Sequence, residues 1–234
     1  MPADFIPVSI THGLIFDLCQ GEYPTQVSGV AGAPLELSPA DTHFGLVTDG
    51  KVGLRRGGDH FTLRQGSFFV VPGAGTVDGT AGRCLVISRL HYLGLFQIGG
   101  PLEAHGRLRY IDGCSDTLLV CPPRRGEPCL NHLHIPLATH QSTHSHPSDR
   151  IGVIAAGRGH CVTDSRRYPL TPGMAWRIPA GSRHSFVTAE SGLDVLAWHP
   201  DTDFGPTDEN HPMINRTFVQ APAQAQDRLP AAER

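Results

Sequence analysis

Charge is scarce in this chain. Asp, Glu, Lys and Arg make up 18% of its 234 residues, against about a quarter in ordinary soluble domains. The formal net charge is −3, and no basic stripe is visible. Nucleic acid and anionic membrane surfaces are therefore not expected as partners. No apolar run is long enough to span a bilayer as a helix. The N-terminus, MPADFIPVSITHGLIFDLCQ, lacks a basic region followed by an apolar block and a small-residue cleavage site, so we expect a cytoplasmic protein. The six cysteines, Cys19, Cys84, Cys114, Cys121, Cys129 and Cys161, form no CxxC pair and are irregularly spaced. They read as free thiols in a reducing cell. No nucleophile elbow, phosphate loop or dinucleotide fingerprint is present.

Glycine, proline and histidine are abundant, with 27, 20 and 14 residues. Gly and Pro at this density favour many short strands and turns over long helices. The chain also repeats itself. At an offset of 107, HFGLVTDGKVGLRRGGDHFTLRQGSFFVVPG (43–73) falls on RIGVIAAGRGHCVTDSRRYPLTPGMAWRIPA (150–180) without a gap. Gly45 meets Gly152, Gly50 meets Gly157, Gly66 meets Gly173 and Pro72 meets Pro179. Phe69 meets Trp176 among the shared apolar positions. This is the mark of a duplication. Asp49-Gly50 reads as a hairpin turn, and GSFFVVPG and GMAWRIPAG read as strands that start after glycine and end at proline. We expect an all-β chain. Residues 1–110 form a first unit, 111–220 a second, and 221–234 a flexible tail. A short helix is expected near Tyr92–Ile98.

Most histidines lie after residue 130. In THQSTHSHPSDRIGVIAAG, His144 and His146 share one face if the segment is a strand, and two imidazoles on one face can hold one cation. His140 has the same parity, provided the strand runs unbroken through Gln141, Ser142 and Thr143. A third imidazole must come from elsewhere, and His184 in PGMAWRIPAGSRHSF is the best candidate.

At this point the second half resembles the cupins, a family of small double-stranded β-barrels. The first cupin motif is Gly, five residues, His-x-His, three or four residues, Glu, six residues, Gly. Here it reads Ala138, His144-Ser-His146, Arg150 and Gly157. The second is Gly, five residues, Pro-x-Gly, two residues, His, three residues, Asn. Here it reads Gly173, Pro179, Gly181, His184 and Thr188. Three of the four usual metal ligands are kept. With the repeat, the resemblance implies a bicupin, two tandem jelly-roll barrels. In the first copy Leu37, Pro39 and Val77 stand at the ligand positions, so the first unit is expected to lack a metal site.

Arg150 stands where the family places a glutamate ligand, and an arginine offers a metal no lone pair. Three readings stay open. The metal has three histidines alone, His140 is a fourth ligand, or Asp149 reaches in. Arg150 itself is either a surface ion pair or a fork for an anionic substrate; Arg177 and Arg183 flank the other wall. We take Arg150, His140 and Arg177 as candidate catalytic residues, and His144, His146, His184 and His140 as candidate metal ligands. A neutral three-histidine site leaves a divalent ion its full charge and favours a small anionic, chelating substrate. His160 is a further acid–base candidate, and Tyr168 and Trp176 read as core. His199, Asp201, Asp203 and His211 read as a lid or a packed tail after the barrel.

The resemblance implies a non-haem Fe(II) dioxygenase. The alternatives are an isomerase, lyase or hydrolase that uses Zn, Mn, Ni or Cu as a Lewis acid, and a non-enzymatic binding protein. A homodimer is expected.

Overall fold

Glycines and prolines punctuate the chain every few residues, and strands form between them. A computed structural model describes residues 4–214 and 217–218. The first half holds β1 (Ile6–Ser9), β2 (Gly13–Leu18), β3 (Thr25–Ala31), β4 (Pro34–Leu37), β5 (Thr42–Arg56), β6 (Asp59–Arg64), β7 (Phe68–Pro72), β8 (Gly75–Asp78), β9 (Gly82–Arg89) and β10 (Gln97–Gly99). The second holds β11 (Leu108–Arg109), a 3-10 turn at Ile111–Gly113, β12 (Ser115–Val120), β13 (Cys129–Ile135), β14 (Arg150–Gly157), β15 (Gly159–Thr163), β16 (Arg167–Leu170), β17 (Met174–Ile178), β18 (His184–Val187) and β19 (Leu193–His199). No helix among the described residues is long and apolar enough to cross a membrane.

The fold is all-β: two tandem double-stranded barrels. The main sheet of the first runs β10-β7-β5-β9-β3-β2, and that of the second β1-β17-β14-β19-β13-β12-β11. The facing wall of the second is β16-β15-β18. The 107-residue repeat recurs in the strand register. Gly45 pairs with Phe69, and Gly152 with Trp176. Bulges fall between Val47 and Asp49 in β5, and between Ile154 and Ala156 in β14. The Gly66 N–H donates to the Val47 carbonyl at 3.0 Å, and the Gly173 N–H to the Ile154 carbonyl at 2.8 Å.

The two paired glycines are required by packing. A Cβ on Gly45 would lie 1.9 Å from the Phe69 ring. A Cβ on Gly152 would lie 1.9 Å from the Leu196 carbonyl oxygen and 2.7 Å from the Trp176 ring. Each aromatic ring therefore lies across a bare backbone. Period-2 alternation then sorts the remaining side chains. One apolar cluster fills the first barrel and a second fills the other. A third joins them, with Leu46, Phe68 and Leu85 against Leu130, Ile151 and Trp198.

Two expectations change here. β1 leaves the first unit and pairs with β17, Ile6 opposite Arg177 through Ser9 opposite Met174, so the strand partition does not follow a boundary near residue 110. Tyr92–Ile98 is not helical. Gly94 sits within it and Gly99-Gly100-Pro101 follows, and the backbone of Gln97–Gly99 instead satisfies itself as an edge strand on β7. The tail expected at 221–234 lies outside the described residues. All six cysteines are free, and burial pushes the thiols of Cys84, Cys129 and Cys161 up to about 12.

At the first barrel's equivalents of the ligand positions, Leu37 and Val77 are buried in its apolar cluster, and Pro39 is exposed in a turn. His43, opposite Arg150 in the repeat, is buried. Its ring nitrogens lie 2.8 Å from Ser88 Oγ and 3.0 Å from the Ser38 carbonyl.

Candidate metal centre

His144 and His184 are held by a reciprocal backbone pair. The His144 N–H donates to the His184 carbonyl at 2.9 Å, and the His184 N–H to the His144 carbonyl at 2.8 Å. Directly opposed residues point to one face, so the two rings sit with centroids 4.5 Å apart. His146, two residues along, lies 5.1 Å from His144 and 5.2 Å from His184. One ligand atom from each of the three lies within 4.8 Å of the others.

The donor set suits a divalent ion. His144 Nδ1 lies 2.9 Å from the Ser142 carbonyl and His184 Nδ1 lies 3.0 Å from the Ser182 carbonyl. A carbonyl only accepts, so Nδ1 carries the proton in both rings and Nε2 keeps its lone pair for a metal. Burial, with Arg150 nearby, holds the His146 imidazole at about 3; burial also holds His184 at about 4. Neutral imidazole is the form that binds metal.

His140 does not join them. It is exposed and bridges to Val187, whereas His144 bridges to His184. Those two pairings differ by one residue of register. A one-residue slip reverses which face a side chain takes, so the even spacing from 140 to 144 no longer means a shared face. Asp149 is also elsewhere. One of its carboxylate oxygens accepts from Arg177 Nε at 2.8 Å and the other from the Ala180 N–H at 2.8 Å. This ion pair also takes Arg177 out of the site. In β17, Trp176 and Ile178 line the cavity and Arg177 alternates to the opposite face. Arg183 pairs with Asp164 at the surface, and His160 meets Arg167 on the outer three-stranded sheet. Tyr168 packs against the core and donates to Asp4.

Arg150 does point inward. It pairs with Ile178 across β14 and β17 and is 8% exposed. Its Nη1 donates to Ser148 Oγ at 2.6 Å and to the Ser148 and Asp149 carbonyls at 3.1 Å. Asp201 stands 3.9 Å away. Asp201 accepts from Ser148 Oγ and, at 3.2 Å, from Tyr23 of the first half. Arg150 Nε is buried and has no partner among the described residues.

A cavity of about 240 Å³ joins these groups. His144, His146, His184 and Arg150 line it, with apolar walls from Leu133, Trp176, Ile178, Phe186 and Val195. Five further lining residues carry polar groups: His199, Asp116, Asn131, Tyr110 and Arg109. His199 is not in a lid. It ends β19, where Val195, Ala197 and His199 share the inward face, and its ring lies 6.3 Å from that of His146. Burial and the adjacent Arg150 hold it neutral, well below the usual histidine range. The alternation in LDVLAWH was a usable signal for it. Asp116 and Asn131 carried none, because their position depends on how β12 pairs with β13. A second His-x-His, His132 and His134, faces the other way and meets the Asp194 carboxylate at 2.9 and 2.8 Å.

A family model described as Cupin domain matches residues 131–198. No curated protein matches the chain. Among solved structures, the fold resembles a cupin 2 conserved barrel domain protein from Leptotrichia buccalis, with TM-score 0.59, 12% identity, and coverage of 85% of this chain and 90% of that one. It also resembles a salicylate 1,2-dioxygenase from Pseudaminobacter salicylatoxidans, with TM-score 0.58, 13% identity, and coverage of 80% and 75%. The family match covers β13 to β19 of the second barrel, and the likeness to these solved structures is one of fold.

Proposed function

We propose that the chain is a bicupin whose first barrel has lost its metal site, and that the second is a non-haem Fe(II) dioxygenase acting on a small anionic, chelating substrate. The observation that carries this reading is one cavity that holds both three convergent neutral imidazoles and a buried arginine with an unpartnered Nε. Ferrous iron bound by His144, His146 and His184 would supply redox chemistry with dioxygen and exchangeable positions for a chelating ligand.

The chain's own groups do the rest. The Ser142 and Ser182 carbonyls fix the imidazole tautomers. Arg150, braced by Ser148 and Asp201, takes the substrate's anionic group and sets its orientation. The apolar walls exclude water and strengthen that ion pair. His199 stays neutral beside Arg150 and adds no competing charge. The likeness to a salicylate 1,2-dioxygenase favours an oxidative reaction over Lewis-acid chemistry. Free buried thiols suit a cytoplasmic setting, and exposed Leu93, Leu95 and Phe96 offer an apolar edge for a homodimer.

Oxygen uptake is the test. Anaerobically iron-loaded protein is mixed with a panel of small hydroxy acids, keto acids and diketones under air. Substrate-dependent consumption of oxygen is expected for at least one anionic chelator, and none with the Zn-loaded form. Turnover of the panel by Zn-, Mn- or Ni-loaded protein without oxygen uptake would overturn the dioxygenase reading.

A further inference from the structure

The cavity is polar at two separate places: Arg150 with the three histidines, and Asp116 with Asn131. Arg109, next to Leu108 on the edge strand, also lines it and makes no ion pair or hydrogen bond with Asp116 among the described residues. Asp116 lies directly opposite Leu133 in the β12–β13 register. Leu133 faces the cavity, so the Asp116 carboxyl faces it too. Asn131 Nδ2 donates to Asp116 Oδ1 at 2.8 Å, and no other described residue donates to this side chain. Between Asp116 and Arg150 stand strands β13 and β19. Tyr110 lines the same cavity. A carboxylate among Leu108, Leu133 and Val195 lacks donors for its second oxygen, and burial accordingly raises its carboxyl above the usual range.

We infer that the substrate carries, at the end remote from its chelating anionic group, a cationic or hydrogen-bond-donating group that Asp116 receives. The inference rests on the anion-binding reading of Arg150 and the three histidines, and extends it to the substrate's other end.

Isothermal titration of Zn-saturated protein tests this, because Zn has no redox chemistry to consume the ligand. Two isosteric pairs serve as probes: 4-amino-2-hydroxybutanoate against 2-hydroxypentanoate, and 5-amino-2-hydroxypentanoate against 2-hydroxyhexanoate. Each pair shares the chelating end and differs only in ammonium against methyl. A charge-assisted hydrogen bond predicts that the amine of at least one pair binds about tenfold or more tightly. Asp116→Asn, close in shape, should erase that preference while still binding the two methyl compounds. Equal affinities within both pairs, with binding still weakened by Arg150→Met, would overturn the Asp116 inference alone. Failure of all four compounds to bind would overturn the anion-chelating reading and this inference with it.

Discussion

Arg150→Met separates a substrate-binding arginine from a structural one. The side chain is 8% exposed and its Nη1 makes three hydrogen bonds to residues 148 and 149. Removing it loses those bonds, but also removes a buried charge whose Nε has no partner. Replacing a whole buried ion pair by well-packed apolar groups is often neutral or stabilising, and removing one partner is costly where it leaves the other charge uncompensated. Asp201 keeps its bonds from Ser148 and Tyr23 and is not orphaned. The net change in stability should therefore stay within about 1 kcal/mol, or roughly 2–4 °C in Tm for a chain of this size. Anion binding is different. A hydrogen bond to a charged group contributes about 1.5–3 kcal/mol, so affinity for a 2-hydroxy acid should fall roughly 10- to 150-fold. Metal content should not change, because no ligand is touched. The assays are thermal denaturation, elemental analysis and titration calorimetry on one preparation. Loss of metal, or collapse of stability with unchanged affinity in the surviving fraction, would refute the reasoning and make Arg150 a structural residue.

Gly152→Ala places a methyl group 1.9 Å from the Leu196 carbonyl and 2.7 Å from the Trp176 ring. Urea denaturation should show a loss of about 3 kcal/mol or more, and a loss under about 1 kcal/mol would mean the strands are freer to part than their register implies. His43 gives a pH prediction. Burial lowers its folded-state pKa below the ordinary value of 6.5, so the unfolded chain takes the proton first as pH falls. Stability is thus lost below pH 6.5, down towards the folded-state value. His43→Gln removes that contribution, so unfolding free energies measured at pH 7.5, 6.5 and 5.5 should fall less steeply than in the parent. Parallel slopes would place the acid sensitivity elsewhere.

The repeat was legible because it is written in backbone constraints. The pairs Gly45/Gly152 and Phe69/Trp176, at one offset, encode a ring lying across a bare strand in both barrels. The three histidines were legible through their spacing alone. His140 and Arg177 misled for one reason. Which face a strand residue takes depends on register, and the slip between the His140 and His144 bridges, like the alternation of Arg177 away from Trp176, is settled by the partner strand. Tyr23 and Asp201, 178 residues apart, brace Arg150 through a contact no local pattern announces. The crossing of β1 to β17 is likewise tertiary. The His132/His134 pair carries the same His-x-His spelling as His144/His146, yet meets Asp194 on the opposite face of the strand.

The most direct measurement is elemental analysis of protein purified without chelator, for the parent, His184→Ala and His140→Ala side by side. About one ion per chain is expected in the parent, as for a single three-histidine ligand set with open positions, and iron as that ion. The metal should be lost in His184→Ala and retained in full in His140→Ala. Undiminished metal in His184→Ala, or metal lost with His140→Ala, would contradict the three-histidine centre on which the proposed chemistry stands.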